Sequence, residues 1–303
     1  MVSVIIPTFE RPQKLKRALF SVINQTYTNL EIIVVNDAQE EGVKDIIRDF
    51  NDTRIKYFKN ERKKGGNGAR NTGILRSKGE YVAFLDDDDE WYPNKIQKQI
   101  ESLSENNNNW NGIYCGFAEF NNGISKEKTN LKEGNILLDL LTGKNPVATR
   151  STALFKAKIF DEVGLFDEDL IRHQDYEFLV RYFQKYKLAF VNEVLVKVNG
   201  HNYPLAQKSE FAKEAYLKKI KKQILLFNKK NQKKIYAHQY FELALLFARE
   251  KNFSKTFFYL KKSGSYCVLN YKLYIKLLLI VIGSFLGVDI LSKISIISTK
   301  IKK

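Results

Sequence analysis

Apolar runs and helical stripes alternate along the first half of the chain. Short runs rich in β-branched residues fall at 2–6, 31–35, 55–58 and 81–85, with helical patterns at 14–24, 43–50 and 68–77 between them. In the first helical stretch Leu15, Ala18, Leu19, Val22 and Ile23 share one face at a spacing of about 3.6 residues. Strands that alternate with helices predict βαβ units and an α/β fold with a mostly parallel central sheet, buried on both faces. On such sheets ligands bind at the carboxyl ends of the strands. Asp37 and Asp86 both fall at such ends.

The pattern then loosens. A helix is expected over 93–103, with Pro93 at its start, and a polar loop over 105–111. Strands are expected at 113–120 and 152–155, a helix at 174–186, and two closing strands at 188–191 and 195–198. After Pro204 everything reads as helix. Phe211, Tyr216, Ile220 and Phe227 lie near one face, and Lys213, Lys218, Lys219, Lys221 and Lys222 crowd the rest. A helical hairpin is expected from 235–249 and 253–262. The apolar stretch 277–288 is shorter than the roughly 20 residues a transmembrane helix needs. It either lies in a membrane interface or packs in the C-terminal bundle. The expected division is a catalytic body, 1–203, and a helical basic region, 204–303.

Charge sharpens that division. The chain carries +16, and residues 201–303 hold 21 Lys/Arg against 5 Asp/Glu, so the whole excess sits in the last third. A neutral body followed by a basic segment predicts contact with something anionic, such as a membrane surface. Nucleic acid is the competing partner, disfavoured because Arg is scarce there and no recognised nucleic-acid module is visible. Cys115 and Cys267 are the only cysteines, which excludes a disulfide scaffold and fits a reducing compartment. Met1 leads almost directly into an apolar run without a signal-peptide pattern, so a cytoplasmic protein is expected, peripheral at most on the inner membrane face.

The chemistry concentrates in Asp86-Asp87-Asp88-Asp89, which closes the run 81–85. Four adjacent carboxylates repel one another, and a cation relieves that cost. Oxygen-only ligands suit a hard divalent ion, Mg²⁺ or Mn²⁺, of the kind that holds a diphosphate. A solvated acidic turn is the bland alternative. The glycine-bearing run Lys63-Lys64-Gly65-Gly66-Asn67-Gly68 has neither Walker nor dinucleotide-binding spacing and is expected to be a flexible loop before a helix.

Three segments together resemble the family 2 glycosyltransferases, which have a GT-A fold. The first is Ser3-Val4-Ile5-Ile6-Pro7-Thr8-Phe9, continued by Ser21-Val22-Ile23-Asn24-Gln25-Thr26-Tyr27 and Glu31-Ile32-Ile33-Val34-Val35-Asn36-Asp37. The second is Gly68-Ala69-Arg70-Asn71-Thr72-Gly73 leading to Gly79-Glu80-Tyr81 and the acidic run; the third is Gln174-Asp175-Tyr176-Glu177-Phe178. The resemblance covers roughly 1–203. It implies inverting transfer of a sugar from a nucleotide-sugar donor, most often a UDP-sugar. The acceptor would be a saccharide or lipid-linked saccharide in bacterial-type surface glycan synthesis.

By the same resemblance, Pro7, Thr8 and Glu10 follow the first strand and touch the nucleotide. Asp37 accepts a hydrogen bond from the base, and Asn36 stands where the family commonly has another acid. Asp86 and Asp87 face the donor, and Asp86 and Asp88 hold the metal. Arg70 either contacts the donor phosphate or pairs with the acidic run. Asp175 is the catalytic base, with Gln174 where the family usually has Glu. His201 either completes the metal site or is a polar lid residue. Trp91 and Tyr92 offer either a sugar-stacking platform or core packing. A scaffold that kept the fold without catalysis is the remaining alternative, and the acids at 37, 86, 88 and 175 speak against it.

Overall fold

Continuous burial along Val2–Thr8, flanked by the equally buried Leu30–Asn36 on one side and the largely buried Tyr81–Phe84 on the other, marks the centre of the sheet. The computed structural model describes residues 1–38, 42–105, 110–121, 124–129, 132–144, 149–199, 204–288 and 290. His201 lies outside them. In chain order the first elements are β1 (Val2–Thr8), α1 (Pro12–Ile23), β2 (Leu30–Asn36), α2 (Gly42–Phe50), β3 (Ile55–Lys59), α3 (Gly66–Arg76), β4 (Tyr81–Phe84), β5 (Glu90–Trp91) and α4 (Lys95–Glu105). Then come β6 (Gly112–Asn121), β7 (Ile124–Lys128), α5 (Leu137–Leu141), α6 (Thr149–Thr152), β8 (Leu154–Lys156), α7 (Ile159–Glu162), α8 (Gln174–Tyr182) and β9 (Ala189–Asn199). The rest is helical: α9 (Ala206–Lys219), α10 (Lys221–Leu225), α11 (Lys229–Arg249), α12 (Phe253–Tyr266) and α13 (Tyr271–Leu286).

The sheet runs β3-β2-β1-β4-β8-β6-β9-β5, with β7 beside β6. β3, β2, β1 and β4 are mutually parallel, so their carboxyl ends open on one edge. Beyond β4, antiparallel pairs carry the sheet onward, interrupted by the parallel β6–β9 pair. α1 buries Leu15, Ala18, Leu19 and Val22, the face its periodicity predicts. A second core is aromatic: Phe166 meets Phe84 at 5.4 Å and Phe178 at 4.9 Å, and Phe178 meets Phe155 at 5.6 Å. That cluster welds α8 to the end of β4.

Several expectations change. Pro7 and Thr8 are the last residues of β1, not part of the loop after it, because they stay in register with Val35 and Asn36. Thr152 ends the short helix α6, and the strand begins at Leu154. The two closing strands are one, β9, with its register against β6 shifted around Gly116. The helix expected over 174–186 stops at Tyr182.

Packing divides the chain into two compact units, Met1–Leu137 with Asn145–Gly200, and Leu138–Lys144 with His201–Lys303. In the second, α11 and α12 form the expected hairpin. Tyr216 and Ile220 are buried, but Phe211 is 70% exposed and turns away from their face. Lys213 is not a solvated lysine: it is buried and donates to Gln239 and Glu242, each at 2.7 Å. α13 packs Leu277 and Ile280 against Phe241 and Ala248 of α11. No helix among the described residues is long and apolar enough to cross a membrane.

Candidate active site at the carboxyl ends of the parallel strands

Each parallel strand delivers a polar group to the same edge of the sheet. β1 ends in Thr8, whose hydroxyl donates to Asp87 at 2.8 Å. β2 leads into Asp37, whose carboxylate accepts from Asn60 Nδ2 at 2.6 Å and from the Gly65 amide at 2.8 Å. β4 leads into the four aspartates, turned by a hydrogen bond from the Asp89 amide to the Asp86 carbonyl at 3.0 Å. A cavity of about 440 Å³ opens between β2 and β3, lined by Asn36, Asp37, Ala38, Lys59, Asn60, Arg62 and Lys64.

Asp37 therefore does two things. It borders the cavity, and it fastens the loop after β3. Gly65 holds a φ of +130°, a conformation that L side chains rarely adopt, and this places its amide on Asp37. Gly68 is compelled for another reason: an added Cβ would lie 1.9 Å from the Lys63 carbonyl oxygen. The loop expected to be flexible is thus pinned at both ends. Asn67 donates to the carbonyls of Asp167 and Leu170, and Asn71 exchanges hydrogen bonds with the backbone of Phe166, so α3 also holds the segment that leads into α8.

The acidic run is compensated by the chain's own donors. Arg70 and Asp86, 4% and 16% exposed, pair at 2.7 Å, which is the second of the two contacts expected for Arg70. Arg11 reaches Asp87 at 3.3 Å and Asp88 at 2.9 Å, and Lys14 reaches Asp88 at 3.5 Å. Burial raises the Asp87 carboxyl, offset in part by Thr8 and Arg11. Asp89 points away from solvent. Its oxygens accept from the Ser151 hydroxyl at 2.5 Å and the Asn199 amide at 3.1 Å. The Ser151 oxygen also accepts from the Asp86 amide at 3.2 Å. Trp91 is core, not platform: it is 4% exposed and its indole donates to the Ser151 carbonyl at 2.7 Å. Tyr92 stays 40% exposed.

Burial, reinforced by the charge of Asp86 and then Asp88, pushes the Asp89 carboxyl from the usual 3.8 up to about 8. The folded state then holds this proton more tightly than the unfolded chain does. The group's stabilising contribution is full below about pH 4 and is lost as pH rises through about 8. The melting temperature of the ligand-free wild type, relative to Asp89→Asn, is expected to fall between about pH 5 and pH 8. A difference that stays constant across that range would show that Asp89 titrates elsewhere.

Asp175 occupies the first turn of α8, after His173 at a φ of +62°. Its carboxylate is half-buried and accepts from the Tyr176 amide at 2.9 Å. Phe178 and Leu179, predicted to face the core, are 1% and 2% exposed. The structure brings Thr8, Arg70 and the acidic run into direct contact, with Asp37 on the neighbouring strand end. Asp175 is linked to them through Phe178 and the aromatic cluster. Glu10 lies exposed just past β1 at a φ of +51°. Sequence reasoning missed Arg11, Lys14, Ser151, Asn199 and Asn60. Only Arg11 and Lys14 left a trace, a basic pair three residues apart at the start of α1.

Among the described residues no three His, Cys, Asp or Glu side chains converge as a ready-made metal cluster. The donor chemistry nevertheless fits a hard cation. Asp88 is buried, and Arg11 and Lys14, whose side chains are 50% and 44% exposed, lie against it. They stand where an ion can displace them, and the remaining donors are carboxylate oxygens.

Comparison with known proteins gives the family and the fold. The family described as Glycosyl transferase family 2 matches residues 3–164. An uncharacterised glycosyltransferase of Rickettsia typhi is 32% identical over 277 residues, covering 85% of this chain and 82% of the relative. The Escherichia coli enzyme WfgD, a UDP-Glc:α-D-GlcNAc-diphosphoundecaprenol β-1,3-glucosyltransferase, is 36% identical over 122 residues, 40% of this chain and 47% of WfgD. Staphylococcus aureus TarS 1–349 in complex with UDP-GlcNAc superposes with a TM-score of 0.61 at 13% identity, covering 89% of this chain and 93% of that 1–349 chain. The mannosyltransferase PcManGT of Pyrobaculum calidifontis, solved with GDP-Man and Mn²⁺, superposes with a TM-score of 0.59 at 17% identity, covering 88% of this chain and 73% of that one. The chain belongs to glycosyl transferase family 2 and is a glycosyltransferase with a GT-A fold.

Proposed function

We propose that the enzyme transfers a sugar, with inversion, from a UDP-sugar to a saccharide or lipid-linked saccharide acceptor in surface glycan synthesis. The observation that carries the reading is the shared edge: the cavity beside Asp37 and the acidic run after β4 lie at the carboxyl ends of parallel strands on either side of β1. In this reading the first takes the nucleoside and the second, through a cation, the diphosphate. Donor class and lipid-linked acceptor are supported by the ligand of TarS and the substrate named for WfgD.

In this reading the base sits against Asp37 and Asn60, with backbone at Pro7 and Thr8 and the exposed Glu10 flanking the nucleotide. Asp175 takes the proton of the acceptor hydroxyl as that oxygen attacks the anomeric carbon. The bond from that carbon to the diphosphate oxygen breaks, and the nucleoside diphosphate leaves. Arg11 and Lys14 supply mobile positive charge beside the departing phosphates. Asp86 and Asp88 would hold a divalent cation, Mn²⁺ or Mg²⁺, whose chemistry is to neutralise the diphosphate. A lipid-linked acceptor further requires work at a bilayer surface.

Thermal unfolding with UDP, GDP, CDP and TDP, each with and without Mn²⁺, tests the reading. UDP with Mn²⁺ at about 100 times its dissociation constant is expected to stabilise the fold by about 2.7 kcal/mol. A larger shift with another nucleotide would change the donor, and no shift with any would remove the reading.

A further inference from the structure

α13 is apolar on two opposite faces. One is buried against α11 through Leu277 and Ile280. On the other, Tyr271, Ile275, Leu278, Ile282 and Phe285 are 66%, 50%, 57%, 40% and 71% exposed. Their alternating spacing of four and three residues draws one continuous stripe along the helix. Phe285 stacks on Phe253 at 4.9 Å, which carries the patch onto α12, where Phe257 one turn later is 68% exposed. Isolated exposed apolar side chains need no explanation, but a contiguous stripe of this length marks a surface that something covers.

We infer that this face of α13 docks on a bilayer surface of anionic phospholipid. Charge selects that occupant. Lys272 and Lys276 are exposed on the first turns of α13, and residues 271–288 contain no Asp or Glu. The region 201–303 holds 21 Lys/Arg against 5 Asp/Glu. A second copy would bring an equally basic surface against this one, whereas an anionic bilayer supplies apolar depth and opposite charge together. α13, with 16 residues, suits the plane of the interface and not a span. The inference gives the lipid-linked acceptor of the proposed function a physical surface on which to be met, and rests on that reading only for its purpose.

The test is sedimentation of the full chain with vesicles of phosphatidylcholine containing about one third phosphatidylglycerol, against pure phosphatidylcholine. The wild type is expected to sediment with the anionic vesicles. The variant Ile275→Gln/Leu278→Gln/Ile282→Gln is expected to lose about tenfold or more in partitioning. All three positions are exposed and glutamine is a good helix former, so helix content and the nucleotide-induced thermal shift should be unchanged. No acceptor or donor enters the assay, so loss of the docking surface and loss of the transferase reading are read separately. Four results would overturn the inference. The wild type could stay in the supernatant, or the variant could bind like the wild type. Light scattering could show a wild-type dimer that the variant dissolves. Binding could arise only after removal of residues 291–303, which would assign the stripe to that segment.

Discussion

Asp175→Asn is expected to lower sugar transfer about a thousandfold while leaving nucleotide binding intact. The substitution keeps size and shape and removes the ability to take a proton. Its position is well fixed. His173 turns the chain sharply at a φ of +62°, and α8 begins at Gln174. Phe178, one turn below Asp175, packs on Phe155 and Phe166, and Phe166 packs on Phe84, two residues before Asp86. The carboxylate is thereby referenced to the same strand end as the acidic run. The competing role is an acid that only complements the helix dipole, worth about 0.3–1 kcal/mol at a helix N-terminus. The two roles separate cleanly. A dipole acid would shift the melting temperature by a few degrees and leave turnover almost unchanged, whereas a base would do the reverse. Turnover within about tenfold of wild type would remove Asp175 from the chemistry.

The parallel half of the sheet was legible because strands buried on both faces are nearly continuous apolar runs. Val2–Thr8 and Leu30–Asn36 therefore stand out against the amphipathic α1. The acidic run was legible because such a run is costly wherever it falls. What could not be read depends on long-range pairing. Ser151 meets Asp89 across 62 positions, and Arg11 meets Asp88 across 77, with no local spacing to announce either. β5, two residues long, exists only because β9 is there to pair with it. Residues 188–191 and 195–198 read as two strands because the register shift opposite Gly116 interrupts the alternation on one continuous strand. Lys213 read as a surface charge because its partners Gln239 and Glu242 lie on another helix. The run 63–68 read as flexible because its glycines were counted as freedom, when Gly65 is needed for its φ of +130° and Gly68 for close approach to the Lys63 carbonyl.

Arg70→Met is expected to destabilise the protein by about 3–5 kcal/mol, the cost of removing one partner from a buried ion pair. Arg70 lies on the fully buried stretch of α3, 4% exposed, and Asp86 is 16% exposed, so water can do little for the carboxylate left behind. Methionine fills much of the volume of the arginine stem, which confines the loss to the charge. The melting temperature should fall by roughly 10 °C, at about 2–4 °C per kcal/mol for a domain of this size. Adding Asp86→Asn should recover part of that fall, since the second substitution removes the stranded charge. The same pair of variants decides between the two roles of Arg70. If the guanidinium served mainly to hold donor phosphate, Arg70→Met would melt like wild type and lose only its stabilisation by nucleotide. A fall below about 2 °C, with or without Asp86→Asn, would show that the pair is held for binding and that the compensation of Asp86 comes from elsewhere. The geometry favours the structural outcome. A guanidinium committed at 2.7 Å to Asp86 fixes the first carboxylate of the run before any donor arrives, and leaves the half-exposed Arg11 and Lys14 as the cations able to move.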